Sequence, residues 1–152
     1  MNNQHLDTPI GRLNIVANDE AVTAIEFDAD PSAQQAPNTI TRLCCEQLSD
    51  YFAGNRTDFD VPLDAHGTKF QHQVWQALIA IPFGETCSYS AIAHQIENPK
   101  AVRAVGAANG RNPIPVIVPC HRVIGSSGQL TGYAGGLDIK IWLIEHERKI
   151  SS

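Results

Sequence analysis

Cys120, His121 and Arg122 stand consecutively between Pro119 and Val123, and their types and order suit a nucleophilic sulfur. An imidazole beside a thiol can take its proton, and a guanidinium beyond it favours the anion, so the triplet is a setting for thiolate over thiol. The preceding run, Ile114-Pro115-Val116-Ile117-Val118, is apolar and β-branched and reads as a buried strand ending at the cysteine. A free cysteine is otherwise a small, inert core residue. The rest of the chain has to decide between the two.

The elements that would position this triplet lie in the second half. Phe70, Val74, Leu78 and Ile81 fall at helical spacing and predict a helix over Lys69 to Ile81, closed by Pro82-Phe83-Gly84. Two short helices follow, Ser88 to Ile96 with Ser88 as a cap and Pro99 to Ala108 with Pro99 in its first turn. Separated by Glu97-Asn98-Pro99, they make a helix-turn-helix. The second is built from Ala101, Ala104, Gly106, Ala107 and Ala108, with Arg103 as the long cation at its middle. It lacks side chains for reading base edges, whereas small residues let its backbone approach a narrow groove; alternatively the alanines pack on a neighbouring helix.

The first half predicts strands over Leu13 to Ala17 and Ala21 to Phe27, an extended polar stretch over Asp28 to Asn38, and a helix from Thr39 to Phe52 that stops at Gly54-Asn55. Cys44 and Cys45 fall inside that helix and read as core. The segment Arg56 to Gly67, with Pro62 and no periodicity, reads as a linker. The expected organisation is two domains, residues 1–65 and 66–152.

The four cysteines are scattered, without a Cys-x-x-Cys pair, which argues against a disulfide framework or a zinc knuckle and suits a reducing compartment. No apolar run reaches membrane-spanning length and no basic, apolar leader opens the chain, so the expectation is cytoplasmic. The net charge of -5 is unevenly divided. Residues 1–65 hold three basic and eleven acidic groups; residues 66–152 hold eight basic and five acidic ones. The positive excess therefore belongs to the half with the helix-turn-helix, and its small size predicts weak, salt-sensitive attraction to nucleic acid.

Arg103 to Pro113, Pro119-Cys120-His121-Arg122-Val123, Gly132-Tyr133-Ala134-Gly135-Gly136-Leu137 and Trp142 to Glu147 together resemble the O6-alkylguanine-DNA alkyltransferases, the methylated-DNA–protein-cysteine methyltransferases. The likeness runs from about Thr68 to Glu147 and is looser before residue 65, where Thr8-Pro9-Ile10-Gly11 and Tyr51-Phe52-Ala53-Gly54 carry it. It implies an α/β protein with a small N-terminal antiparallel sheet plus helix, ribonuclease H-like, and a C-terminal winged-helix-like domain. It implies direct, single-use transfer of an alkyl group from O6 of guanine in duplex DNA, or from O4 of thymine, to Cys120. His121 would accept the thiol proton through a water, Glu147 would orient and charge His121, and Tyr133 would contact the guanine and help neutralise its departing charge.

By the same resemblance Tyr89 lies near a phosphate, Arg103 takes the place of the extruded nucleotide, and Ala101, Ala104 and Arg111 complete the DNA-contacting set. Asn112 would tie the helix-turn-helix to the active-site strand, and Pro115, Val123, Ala134 and Gly135 would form and support the pocket, with Gly135 and Gly136 supplying unusual φ angles. Where some members carry a serine this chain has Ala134, the loss of one hydrogen-bond donor worth about 1 kcal/mol. Glu145 is two residues out of register and is assigned to a solvated face; Arg122 and His146 are assigned structural hydrogen bonds. No cofactor or metal is implied, and the protein would act as a monomer. A non-catalytic damage-recognition protein would share the fold but lack the cysteine; a Cys-His hydrolase would turn over.

Overall fold

The computed structural model describes all 152 residues, Met1–Ser152, and the chain divides into two compact units, Met1–His66 and Gly67–Ser152. In the first unit, β1 (Asn2–Thr8), β2 (Gly11–Ala17) and β3 (Val22–Glu26) form an antiparallel sheet in the order β1-β2-β3. Leu13, Ile15 and Ala17 alternate inward on β2 and are fully buried. Helix α1 (Thr39–Phe52) covers the sheet with Cys44, Leu48 and Tyr51. Its start is fixed by a capping box in which Asn38 accepts from the Thr41 backbone and the Thr41 hydroxyl accepts from the Asn38 backbone.

Strand β1 has no counterpart in the sequence reading, because its half-buried, largely polar residues show no apolar alternation. The segment read as a linker, Arg56 to Gly67, is mostly exposed but pinned at its centre. Val61 is buried, Gln47 holds Asp60, and Val22 exchanges backbone hydrogen bonds with Pro62 and Asp64.

The second unit opens with α2 (Lys69–Ile79), capped by Thr68 and two residues shorter than its apolar spacing suggests. Strand β4 (Cys87–Ser88) leads into α3 (Tyr89–Gln95), capped by the Ser88 hydroxyl, and then α4 (Val102–Gly110). The helix-turn-helix is present, but α4 begins at Val102, so Pro99 lies in the connecting turn instead of the first helical turn. That turn is entered through Glu97 at φ 61°. Helix α4 buries Val105, Ala108 and Asn109 and leaves Arg103, Ala104 and Ala107 exposed. The Trp75 indole, on α2, donates to the Ala108 carbonyl at 2.9 Å. A parallel pair of β4 and β5 (Val123–Ile124) and the long helix α5 (Leu137–Ser151) complete the unit.

Residues Ile114–Val118 are not a strand. They form consecutive buried turns, followed by a 3₁₀ turn at Cys120–Arg122. Pro113, Pro115 and Pro119 remove the donors a ladder would need. Val116 sits at φ 73°, a left-handed conformation that costs a β-branched residue on the order of 1–3 kcal/mol. Val118 N–H closes back on the Ile114 carbonyl at 3.0 Å, so the apolar run folds on itself. The short strand in this region follows the cysteine, at Val123.

Candidate active site

Cys120 opens the 3₁₀ turn and is held by the backbone on both sides. Its N–H donates to the Val118 carbonyl at 2.8 Å, and its carbonyl accepts from the Asn109 side chain at 3.4 Å. Asn112 donates to the Val118 carbonyl at 2.7 Å and accepts from the Ile114 N–H at 3.0 Å. It thereby ties the end of α4 to the turn that presents the cysteine. The side chains of Asn112 and Tyr133 also reach the sulfur. Pro115 and Val123 are buried around this turn.

His121 and Glu147 meet at 2.6 Å through Nε2 and Oε2, both fully buried. Arg122 approaches the same carboxylate with two nitrogens, Nε to Oε1 at 2.7 Å and Nη2 to Oε2 at 3.1 Å, while its Nη1 donates to the Ile81 carbonyl at 2.7 Å. Burial pushes the Glu147 pKa upward, but the hydrogen bonds and charges of His121 and Arg122 prevail and hold it at about 2. A charged carboxylate only accepts, so Nε2 of His121 carries the proton. Burial holds the imidazole below its ordinary pKa, against the pull of Glu147, and leaves it neutral. Nδ1 is then a buried lone pair without a hydrogen bond, a base awaiting a proton.

The sulfur is not ionised at rest. Burial pushes the Cys120 thiol up to about 11, outweighing Asn112, Lys140 and Tyr133, which all favour the thiolate. The reading of the triplet as a setting for thiolate over thiol does not hold for the resting protein. Desolvation wins, and Arg122 spends its charge on Glu147.

Lys140 is the residue the sequence reading missed. It is fully buried, donates from Nζ to the Thr131 carbonyl at 3.2 Å, and its ammonium acts on Cys120. Burial lowers its pKa while Cys120 pulls the other way. Its signal was present: Lys140, Leu143, Ile144 and Glu147 share one inward stripe of α5 at positions i, i+3, i+4 and i+7, so two charged residues occupy core positions. Glu145 faces solvent.

A cleft of about 530 Å³ is lined by Tyr89, Val102, Gly106, Gly110, Thr131, Gly132, Tyr133 and Ala134. It joins the helix-turn-helix face to the loop before α5. A Cβ at Gly106 would meet the Tyr89 ring at 3.9 Å, an ordinary van der Waals contact. Tyr89 is hydrogen-bonded to Thr131 across the cleft. Ala134 is exposed at its rim; of the paired glycines, Gly136 has the unusual φ, 99°, and Gly135 does not. Arg103, Ala104 and Arg111 are exposed and Ala101 half-exposed along α4 and its C-terminal end, on the unit that carries the positive excess.

Residues 69–149 match the family described as 6-O-methylguanine DNA methyltransferase, DNA binding domain, and residues 2–65 match its ribonuclease-like domain. The chain belongs to the 6-O-methylguanine DNA methyltransferase family. A methylated-DNA–protein-cysteine methyltransferase of Mycolicibacterium paratuberculosis is 49% identical, with 96% of this chain and 92% of that protein covered. One from Methanosarcina acetivorans is 48% identical, with 93% and 94% covered. Among solved structures, Mycobacterium tuberculosis OGT in complex with DNA is 47% identical, with a TM-score of 0.90 over 99% of this chain and 94% of that one. The family's mixed α/β architecture, a small N-terminal sheet with a helical C-terminal unit, is that of this chain. No helix is long and apolar enough to cross a membrane.

Proposed function

We propose that the protein repairs alkylated DNA directly, moving a methyl or other alkyl group from O6 of guanine in duplex DNA to Sγ of Cys120. The observation that carries the reading is a buried thiol beside a neutral His121 whose Nε2–H is committed to Glu147, in a unit whose helix-turn-helix and glycine-rich loop frame a cleft. The DNA-bound relative from M. tuberculosis, 47% identical, supports DNA as the partner.

Nδ1 of His121 accepts the Cys120 proton through one water molecule, and Glu147 stabilises the imidazolium that forms. Lys140 offsets part of the thiolate's charge. The sulfur then attacks the alkyl carbon and displaces guanine: an S–C bond forms, the C–O6 bond breaks, and the electron pair leaves with guanine, which Tyr133 helps to neutralise. The thioether has no route back, so each molecule acts once. An O6 lesion lies within the base stack, and a buried sulfur reaches it only if the nucleotide leaves the duplex. Arg103 fills the vacated place from the exposed middle of α4, Ala101 and Ala104 let that helix approach the minor groove, and Tyr89 and Arg111 contact the backbone. The reaction needs a reduced thiol, which suits a reducing compartment such as the cytoplasm.

Intact-mass analysis after incubation with duplex DNA bearing O6-methylguanine tests this. The expected result is one added methyl, mapped to the peptide containing Cys120 and absent from Cys120→Ala, which still binds DNA. Steady turnover without modification points instead to a hydrolase, and a methyl on another cysteine overturns the assignment.

A further inference from the structure

The nucleophile is nearly sealed. Cys120 exposes 5% of its surface, yet transfer requires its sulfur to touch an alkyl carbon, so part of the surrounding wall has to open. A side-chain hydrogen bond between the hydroxyls of Tyr89 and Thr131 spans the cleft that is also lined by Tyr133, a residue that acts on Cys120. Tyr89 is the first residue of α3. Thr131 lies in the loop that precedes α5, so the bond closes the helix-turn-helix face against that loop. Thr131 is also anchored from beneath, because its carbonyl accepts from the buried Lys140 ammonium at 3.2 Å. It is therefore held in place whichever way Tyr89 moves.

We propose that Thr131 is a positioning residue for alkyl transfer: its hydroxyl latches Tyr89 across the pocket in the DNA-free protein, and the latch opens when Tyr89 exchanges that hydroxyl for a DNA phosphate oxygen. The proposal rests on the reading of Tyr89 as a phosphate-contacting residue. The exchange runs downhill, because a hydrogen bond to an anionic oxygen is about twice as strong as one between neutral groups. A lesion within duplex DNA brings its own phosphate and releases the latch as it binds. A free O6-alkylated base brings none and reacts only in the fraction of molecules whose latch has opened spontaneously. Thr131 thus biases the protein toward polymer substrates over soluble alkylated bases.

The test is the single-turnover rate of Cys120 alkylation, followed by intact mass, with free O6-benzylguanine and with a duplex carrying O6-methylguanine. Thr131→Val removes the hydroxyl but keeps the branched shape and the carbonyl bonded to Lys140. It should react with the free base about three- to tenfold faster, the worth of one net hydrogen bond, and with the duplex at a rate near wild type. Thr131→Ser, which restores a hydroxyl, should match wild type on both. Tyr89→Phe should be as fast as Thr131→Val on the free base but slow on the duplex, and combining the two should add nothing. A Val variant no faster than wild type on the free base, or Val and Ser variants that behave alike, overturns the latch while leaving Cys120 as acceptor. Wild type that acquires no alkyl group on Cys120 overturns the underlying reading as well.

Discussion

Glu147→Gln is the most informative single substitution, because Glu147 serves His121 and Arg122 at once. At an effective dielectric of 20, a unit charge about 4 Å from the imidazolium contributes about 4 kcal/mol. The thiolate, farther from the carboxylate and repelled by it, cancels roughly half, leaving a net effect of about 1–2 pKa units on forming the thiolate–imidazolium pair. The sign is fixed: without the carboxylate's charge, neutral thiol and neutral imidazole are favoured, so the apparent pKa of alkylation rises. A second effect adds to this one. Glutamine can satisfy Arg122 with its oxygen only by turning its amide toward Nε2, which moves the histidine proton to Nδ1 and removes the base; reversal of this kind costs on the order of 10⁴-fold in a serine-protease triad. The assay is the pH dependence of the single-turnover rate with free O6-benzylguanine, alongside Glu145→Gln, whose exposed side chain should leave the profile at wild type. Breaking a buried pair costs about 3–5 kcal/mol of stability, so the double variant Glu147→Gln/Arg122→Met, which leaves no charge stranded, separates folding from chemistry. It should recover much of the melting temperature and none of the rate. A shift in the Glu145 variant but not in the Glu147 variant means the acid is misassigned, and no shift in either means His121 works without a carboxylate.

Arg103→Ala should slow repair of duplex DNA by about ten- to a hundredfold, part of the few kcal/mol of extrusion, and leave the reaction with the free base unchanged; equal losses on both substrates would place Arg103 in the fold. Lys140→Met should raise the apparent pKa of alkylation while preserving or raising the melting temperature, since a buried ammonium with a neutral carbonyl partner is costly to the fold; a downward pKa shift refutes its role at the sulfur. Thermal stability should fall with acid. Glu147 is held at about 2, below its unfolded value, so its contribution is present above about pH 4.5 and lost as pH falls through 2, and His121, buried neutral, adds a loss below its ordinary value. Melts from pH 8 to 2 check this, and a flatter acid limb is expected from Glu147→Gln/Arg122→Met.

Local signals were legible where one residue fixes one boundary. Ser88 starts α3, and the adjacency of Cys120 and His121 announced chemistry before any fold was known. The apolar run Ile114–Val118 misled because a short buried turn and a short buried strand share the same composition, and only the denied donors of its prolines distinguish them. Strand β1 was hidden for the opposite reason: an edge strand, bridged on its outer side by Ala36 at Asn3, keeps polar, half-buried residues and needs no alternation. The roles of Lys140 and Arg122 depend on how α5 lies against the 3₁₀ turn, a contact between residues 20 to 26 positions apart that periodicity does not encode. Arg122 could be assigned as a structural hydrogen-bonder, but not to Glu147.

That sharing of Glu147 explains how a single-use thiol survives until it is needed. A carboxylate bound to His121 alone would favour the imidazolium and, through it, a resting thiolate open to any electrophile. Each premature reaction would consume one protein molecule. Burial keeps His121 neutral, the charge of Arg122 on the shared carboxylate adds to this, and the bond to Glu147 fixes the tautomer. Burial then holds Cys120 as a thiol, with Lys140 close enough to offset the negative charge once the proton leaves. The site is therefore poised rather than active: the base is aimed, the acceptor is protonated, and ionisation becomes worthwhile only when an alkyl carbon stands against the sulfur to receive the charge as it forms.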